Sequence, residues 1–158
     1  VTSAPNRARF APLDAALAAR WAGFPEHGDH PLFPNFLGLR LEEVRNDYAR
    51  MRLPFRAELT QPAGMIHGGA LASLIDTVVV PAIGSAYPER HVLLTLDMHV
   101  AYMDPIMGED AIAEGWVEKR GRSIVYCRVE VRSASGTLAS TAALVYKVSS
   151  KLLPPPRA

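Results

Sequence analysis

The chain has 158 residues, 49% apolar and 21% charged, the size and composition of a single soluble domain with a real core. Its 17 basic and 16 acidic side chains nearly cancel and form no block of like charge, which argues against nucleic acid as a partner. One cysteine, Cys127, excludes an internal disulfide and every Cys-x-x-Cys zinc arrangement and suits a reducing, cytoplasmic compartment, while no apolar run approaches the roughly 18 residues of a membrane helix.

Residues 1–36 hold five of the thirteen prolines around a short helix predicted over 14–22, where Leu13, Leu17 and Trp21 recur at spacing four. This segment reads as an arm packed on a core domain spanning 37–149. GLRLEEVRN and YARMRLPF predict a first hairpin turning at Asn46 and Asp47, with weak alternation. From Gly68 to about Ala86 the period changes. Leu71, Leu74, Ile75, Val78, Val79 and Ala82 form an apolar stripe at helical spacing, and Gly69, Ala72, Ser73 and Asp76 form a second stripe of small residues ending in a carboxylate. The run TVVVP opposes a helix, because β-branched residues favour strands and Pro81 removes a donor, so a kink near Thr77 is expected. Four strands are predicted next, over 91–103, 110–119, 122–133 and 137–148. In the first, the even residues from Val92 to Tyr102 lie on one face, with Thr95, Asp97 and His99 on the other. KRGRS and SASGT supply tight turns, and LLPPPRA reads as a frayed tail, with 150–158 flexible. The order β-β-α-β-β-β-β implies an α+β fold in which an antiparallel sheet wraps one central helix.

Chemistry concentrates in QPAGMIHGGALASLID, residues 61–76. Gly68 and Gly69 stand at the helix start, where backbone N–H groups lack intrahelical partners and the dipole favours negative charge. Without a Cβ they admit a ligand carbonyl and can form an oxyanion hole; the alternative is a tight turn into the helix. Asp76 is the candidate base or nucleophile. Set among Leu74, Ile75, Val78 and Val79, its charge is expected to be disfavoured by desolvation, unless Ser73 or a backbone donor satisfies it. His67 is expected to orient the loop by hydrogen bonding rather than to carry protons. Gly68 and Asp76 are about 12 Å apart along a helix axis, too far for one reacting carbon to touch both, so a two-fold dimer with antiparallel helices is expected to form two composite sites.

The same segment, followed by LTLDMHVAYMDP, closely resembles the hotdog-fold acyl-CoA thioesterases of the phenylacetate-degradation (PaaI-like) type over about residues 37–149. The match consists of the amide residue Gln61, the run His67-Gly68-Gly69, Asp76, and a long strand from which Tyr102 leads to Pro105. The resemblance implies hydrolysis of an acyl-CoA to free acid and coenzyme A, without metal or separate cofactor, in homodimers with interfacial sites that pair further into a homotetramer. It implies that Gln61 orients water or thioester and that Thr95 helps hold the water. It also implies that Arg120, Gly121 and Arg122 meet the coenzyme A nucleotide. Each has a plainer alternative: a solvent-facing glutamine, an outward threonine, solvated arginines. Ala72 and Ser73 leave room for an aromatic ring or a bent chain. Other chemistries fit poorly. Ser73 lacks a GxSxG elbow, His27 and His30 are too isolated for a metal site, Cys127 alternates with valines as a core residue does, and no glycine-rich phosphate loop occurs. A non-catalytic acyl-CoA-binding or regulatory module and a structural assembly protein are the competing readings.

Overall fold

In the computed structural model, residues 7–25 and 31–153 are described; His27, His30 and residues 154–158 lie outside them. The helical period at 68 becomes helix α3, Gly68–Gly84, which runs without interruption through Pro81 and ends two residues before the expected Ala86. Leu74, Ile75, Val78, Val79, Ala82 and Ile83 on one side of it are fully buried, so packing against a sheet overrides the strand preference of the β-branched run.

That sheet has six strands, β1 Arg40–Arg45, β2 Tyr48–Leu53, β3 His91–Tyr102, β4 Ala111–Arg120, β5 Ile124–Ser133 and β6 Leu138–Leu152. Their spatial order is β1-β2-β4-β5-β6-β3, and every neighbouring pair is antiparallel. The hairpin between β1 and β2 turns at Asn46 and Asp47 as expected, with Asp47 at φ 62°. Helix and sheet approach closely at Gly115, where a Cβ would come within 2.9 Å of Val78. This element order and wrapping are those of the α+β fold expected from the sequence pattern, and of the hotdog fold that the resemblance implied.

Three expectations need correction. Strand β6 continues to Leu152, so residues 150–152 are strand and not tail. The arm contains a second short helix, α2 (Phe33–Leu37), besides α1 (Ala15–Trp21), whose N-terminus is capped by the Asp14 carboxylate accepting from Leu17 N–H at 2.9 Å. The alternation of β3 is also interrupted. Thr95 pairs with Tyr146 but Asp97 with Val145, which leaves Leu96 as an extra residue in a β-bulge. Leu93 and Thr95 before the bulge therefore share the helix-side face with Met98, Val100 and Tyr102 after it.

Two aromatic side chains of the arm pack on the domain. Phe10 stacks on Tyr48, with ring centroids 5.1 Å apart, and joins it and Trp116 on the sheet face away from α3. Trp21 lies against the far end of α3, where a Cβ on Gly84 would meet the indole at 2.4 Å. Glycine alone fits there.

Candidate active site

The loop before α3 is shaped by local hydrogen bonds. Gly64 N–H donates to Gln61 O at 2.8 Å, with Gly64 at φ 84°, and Ala63 N–H donates to Gln61 Oε1 at 2.8 Å. The glutamine oxygen is thereby committed to its own turn, leaving its amide nitrogen as the free end. Backbone bonds from His67 N–H to Leu59 O and from Ile66 N–H to Ile106 O hold the loop to its neighbours.

His67 is the N-cap of α3, and its Nδ1 accepts from Gly69 N–H at 2.9 Å. The ring orients the helix start, as expected, and its Nδ1 is the acceptor nitrogen. This corrects the reading of paired glycine amides, since Gly69 N–H is already occupied. Among the described residues only the Gly68 N–H of this pair has no acceptor. Tyr102, for which the sequence suggested no separate role, lies over this glycine. Its hydroxyl donates to Gly68 O at 2.8 Å, its ring comes within 3.4 Å of where a Cβ would stand, and burial raises its pKa.

Asp76 projects from a different face of α3 than Leu74, Ile75, Val78 and Val79. With Ala72, Ser73 and Val80 it forms a half-buried stripe, so the expected enclosure among core residues is corrected. Its Oδ1 accepts from Thr95 Oγ1 at 2.9 Å and lies 2.5 Å from the Tyr146 hydroxyl, which is also 2.8 Å from the Asp76 carbonyl. Thr95 and Tyr146 are cross-strand partners, and the bulge at Leu96 keeps both on the helix side. Thr95 is thus directed at the carboxylate and not outward. Two hydroxyls on Oδ1 fix the carboxylate, while Oδ2 has no donor among the described residues. Burial and then the charge of Asp76 push the Tyr146 hydroxyl well above its ordinary pKa.

Tyr146 is the principal residue the sequence reading missed. Its signal was a phenol at an inward position of β6 between Leu144 and Val148, where a buried hydroxyl needs a partner. Ser73 stands on the same stripe, but its hydroxyl donates to Gly69 O at 2.8 Å and serves the helix backbone.

The hairpin residues are divided. Arg120 is not free for a phosphate. Its guanidinium donates to the Asp47 carboxylate, to Tyr87 Oη at 3.1 Å and to Ile83 O at 3.1 Å, tying β4 to the β1–β2 turn and the end of α3. Burial opposes its charge, but Asp47 and Tyr87 raise its pKa. Gly121 makes the turn, its N–H donating to Ile124 O at 2.8 Å, where a Cβ would lie 2.9 Å from that oxygen. Arg122 is exposed, with no ion pair among the described residues.

The profile of the thioesterase superfamily matches residues 63–140. A provisionally named esterase of Halobacterium salinarum is 33% identical over 114 residues, covering 69% of this chain and 74% of that protein. Human acyl-coenzyme A thioesterase 13 is 32% identical over 84 residues, 51% of this chain and 59% of the human protein. In three dimensions the chain is similar to the Escherichia coli PaaI protein of the phenylacetic acid degradation operon, with TM-score 0.71 and 16% identity over 77% of this chain and 86% of that one, which shows the shared fold. The chain therefore belongs to the thioesterase superfamily and is a hotdog-fold thioester hydrolase.

Proposed function

We propose that the protein hydrolyses acyl-CoA thioesters to free acid and coenzyme A in a site assembled from two chains. The carboxylate of Asp76 carries the reading: it is oriented through one oxygen by Thr95 and Tyr146, with the other oxygen open, on a helix face outside the core. Such a carboxylate can take the proton of a water attacking the thioester carbon. The water oxygen bonds to carbon, the carbonyl electrons move onto oxygen, and the Gly68 N–H stabilises that charge at the positive end of α3. Collapse re-forms the carbonyl and expels the coenzyme A thiolate, which takes the proton from Asp76. The amide nitrogen of Gln61 is available to hold water or the thioester oxygen, and Arg122 is available to the coenzyme A phosphates. The name of the human relative supports acyl-CoA as the substrate class.

Eight residues separate Gly68 from Asp76, about 12 Å along the axis, so one chain does not bring both to one carbon. The outer edge of β3 supplies a route to a partner. Among the described residues it pairs with no strand, and it exposes Leu94, Leu96 and Tyr102, an arrangement that invites a second copy. Antiparallel pairing of two β3 edges sets the helices antiparallel and brings Gly68 beside the partner's Asp76.

The test is thiol release from a panel of acyl-CoAs by two variants, separately and mixed. Asp76→Asn removes the base. Gly68→Pro removes the N–H at the first helical position, where proline is tolerated, and His67 already has the extended backbone that proline demands of its predecessor (φ −62°, ψ 136°). Each variant alone loses about 100-fold or more in kcat. Remixed subunits regain about a quarter of wild-type activity, because half the dimers are mixed and each holds one intact site. Absence of recovery in mixed dimers would refute the shared site, and binding of acyl-CoA without thiol release by the wild type would leave a non-catalytic module.

A further inference from the structure

We propose that the cleft at the C-terminal end of α3 receives the distal end of the acyl group, and that Trp21 is the wall that limits its length. This inference rests on Asp76 as the reaction centre. The cleft measures about 190 Å³; Trp21, Val80, Gly84, Leu93 and Leu153 give it apolar walls, and Glu89, Arg90 and His91 line it as well. An apolar cavity of about 150 Å³ is enough to hold benzene, so the volume suits one ring or a short chain.

Two walls lead from the carboxylate into this space. Val80 follows Asp76 on the same half-buried stripe of α3, about 6 Å further along the axis. Leu93 precedes Thr95 on the same face of β3, about 7 Å along the strand, and the two pair with the inward residues Val148 and Tyr146. Helix and strand thus run together from the Asp76–Thr95 contact into the cleft, away from Gly68 of the same chain. A thioester carbon at Asp76 places an acyl substituent within reach of Val80 and Leu93.

The end of the path is rigid. Trp21 is 4% exposed and lies on Gly84, with the Arg20 and Arg90 guanidiniums 5.8 and 5.9 Å from its ring. Arg20 in turn donates to the carbonyls of Tyr87 and Pro88, pinning α1 to the segment after α3. Trp21 lies outside the matched residues 63–140, so the wall is contributed by the arm.

The experiment measures kcat/KM for straight-chain thioesters from acetyl- to palmitoyl-CoA, with benzoyl- and phenylacetyl-CoA. Trp21→Ala raises the ratio of lauroyl to butyryl kcat/KM by about tenfold or more, and Val80→Phe, which fills the cleft from the helix, lowers it by about tenfold or more. Val80→Phe decides the matter should Trp21→Ala fail to fold. Unchanged ratios in folded variants that still turn over thioesters overturn the proposal and leave the Asp76 reading intact. A wild type that releases thiol from no acyl-CoA removes both.

Discussion

Tyr146 does two jobs with one hydroxyl, bridging the backbone and the side chain of Asp76. Tyr146→Phe should cost about 1.5–3 kcal/mol of stability, the worth of a hydrogen bond to a charged partner. It should also lower kcat about tenfold through a less fixed carboxylate, a difference of about 1.4 kcal/mol. Urea unfolding and thiol-release kinetics read the two effects separately. The same residue makes stability depend on alkaline pH. Its folded pKa is raised, so the unfolded chain loses the proton first, near the ordinary value of 10.0, and stability falls as pH rises beyond that point. Tyr48, raised by burial and by Glu114, acts in the same direction. Urea midpoints from about pH 8 to 11 should therefore decline, and less steeply in Tyr146→Phe. Cys127, 2% exposed and pushed up to about 12 by burial, should stay inert to thiol reagents in the folded protein.

At the scale of elements, much was legible from periodicity because burial on one face imposes it. The helical stripe from Leu71 to Ala82 marked α3 despite Pro81, and the turn at Asn46 and Asp47 was readable from residues that tolerate positive φ. The bulge in β3 was not readable, because Leu96 fits a simple alternation as well as its neighbours do. Only the cross-strand register shows that Thr95 changes faces. The histidine cap was half legible: a loop-orienting role could be argued, but not that Nδ1 takes the Gly69 amide. Arg120 misled for a related reason. A hairpin arginine looks solvated until the fold brings Asp47 and Ile83 beside it. Deleting Leu96 should restore uninterrupted alternation, turn Thr95 away from Asp76 and lower kcat about tenfold or more, with the sheet otherwise retained. Circular dichroism beside kinetics tests this, and full activity in a folded deletion variant would show that the bulge does not matter to the site.

Among the described residues the sheet has two edge strands, and the outer edge of β3 is the longer of the two. Leu94 is 47% exposed and Leu96 55%. Introducing charge there, as in Leu94→Glu with Leu96→Glu, should split the proposed dimer into monomers in sedimentation velocity and reduce turnover about 100-fold or more, while each chain stays folded. A monomeric variant with wild-type turnover would contradict a shared reaction centre.

The unmatched border of β3 also bears on how catalysis scales with the amount of protein. A centre completed only by association obeys mass action, so turnover per chain should fall once the solution is diluted below the dissociation constant of the pair, and substrate bound across the seam should resist that loss. Dilution would then act as a reversible inhibitor, with a midpoint that shifts as acyl-CoA is added.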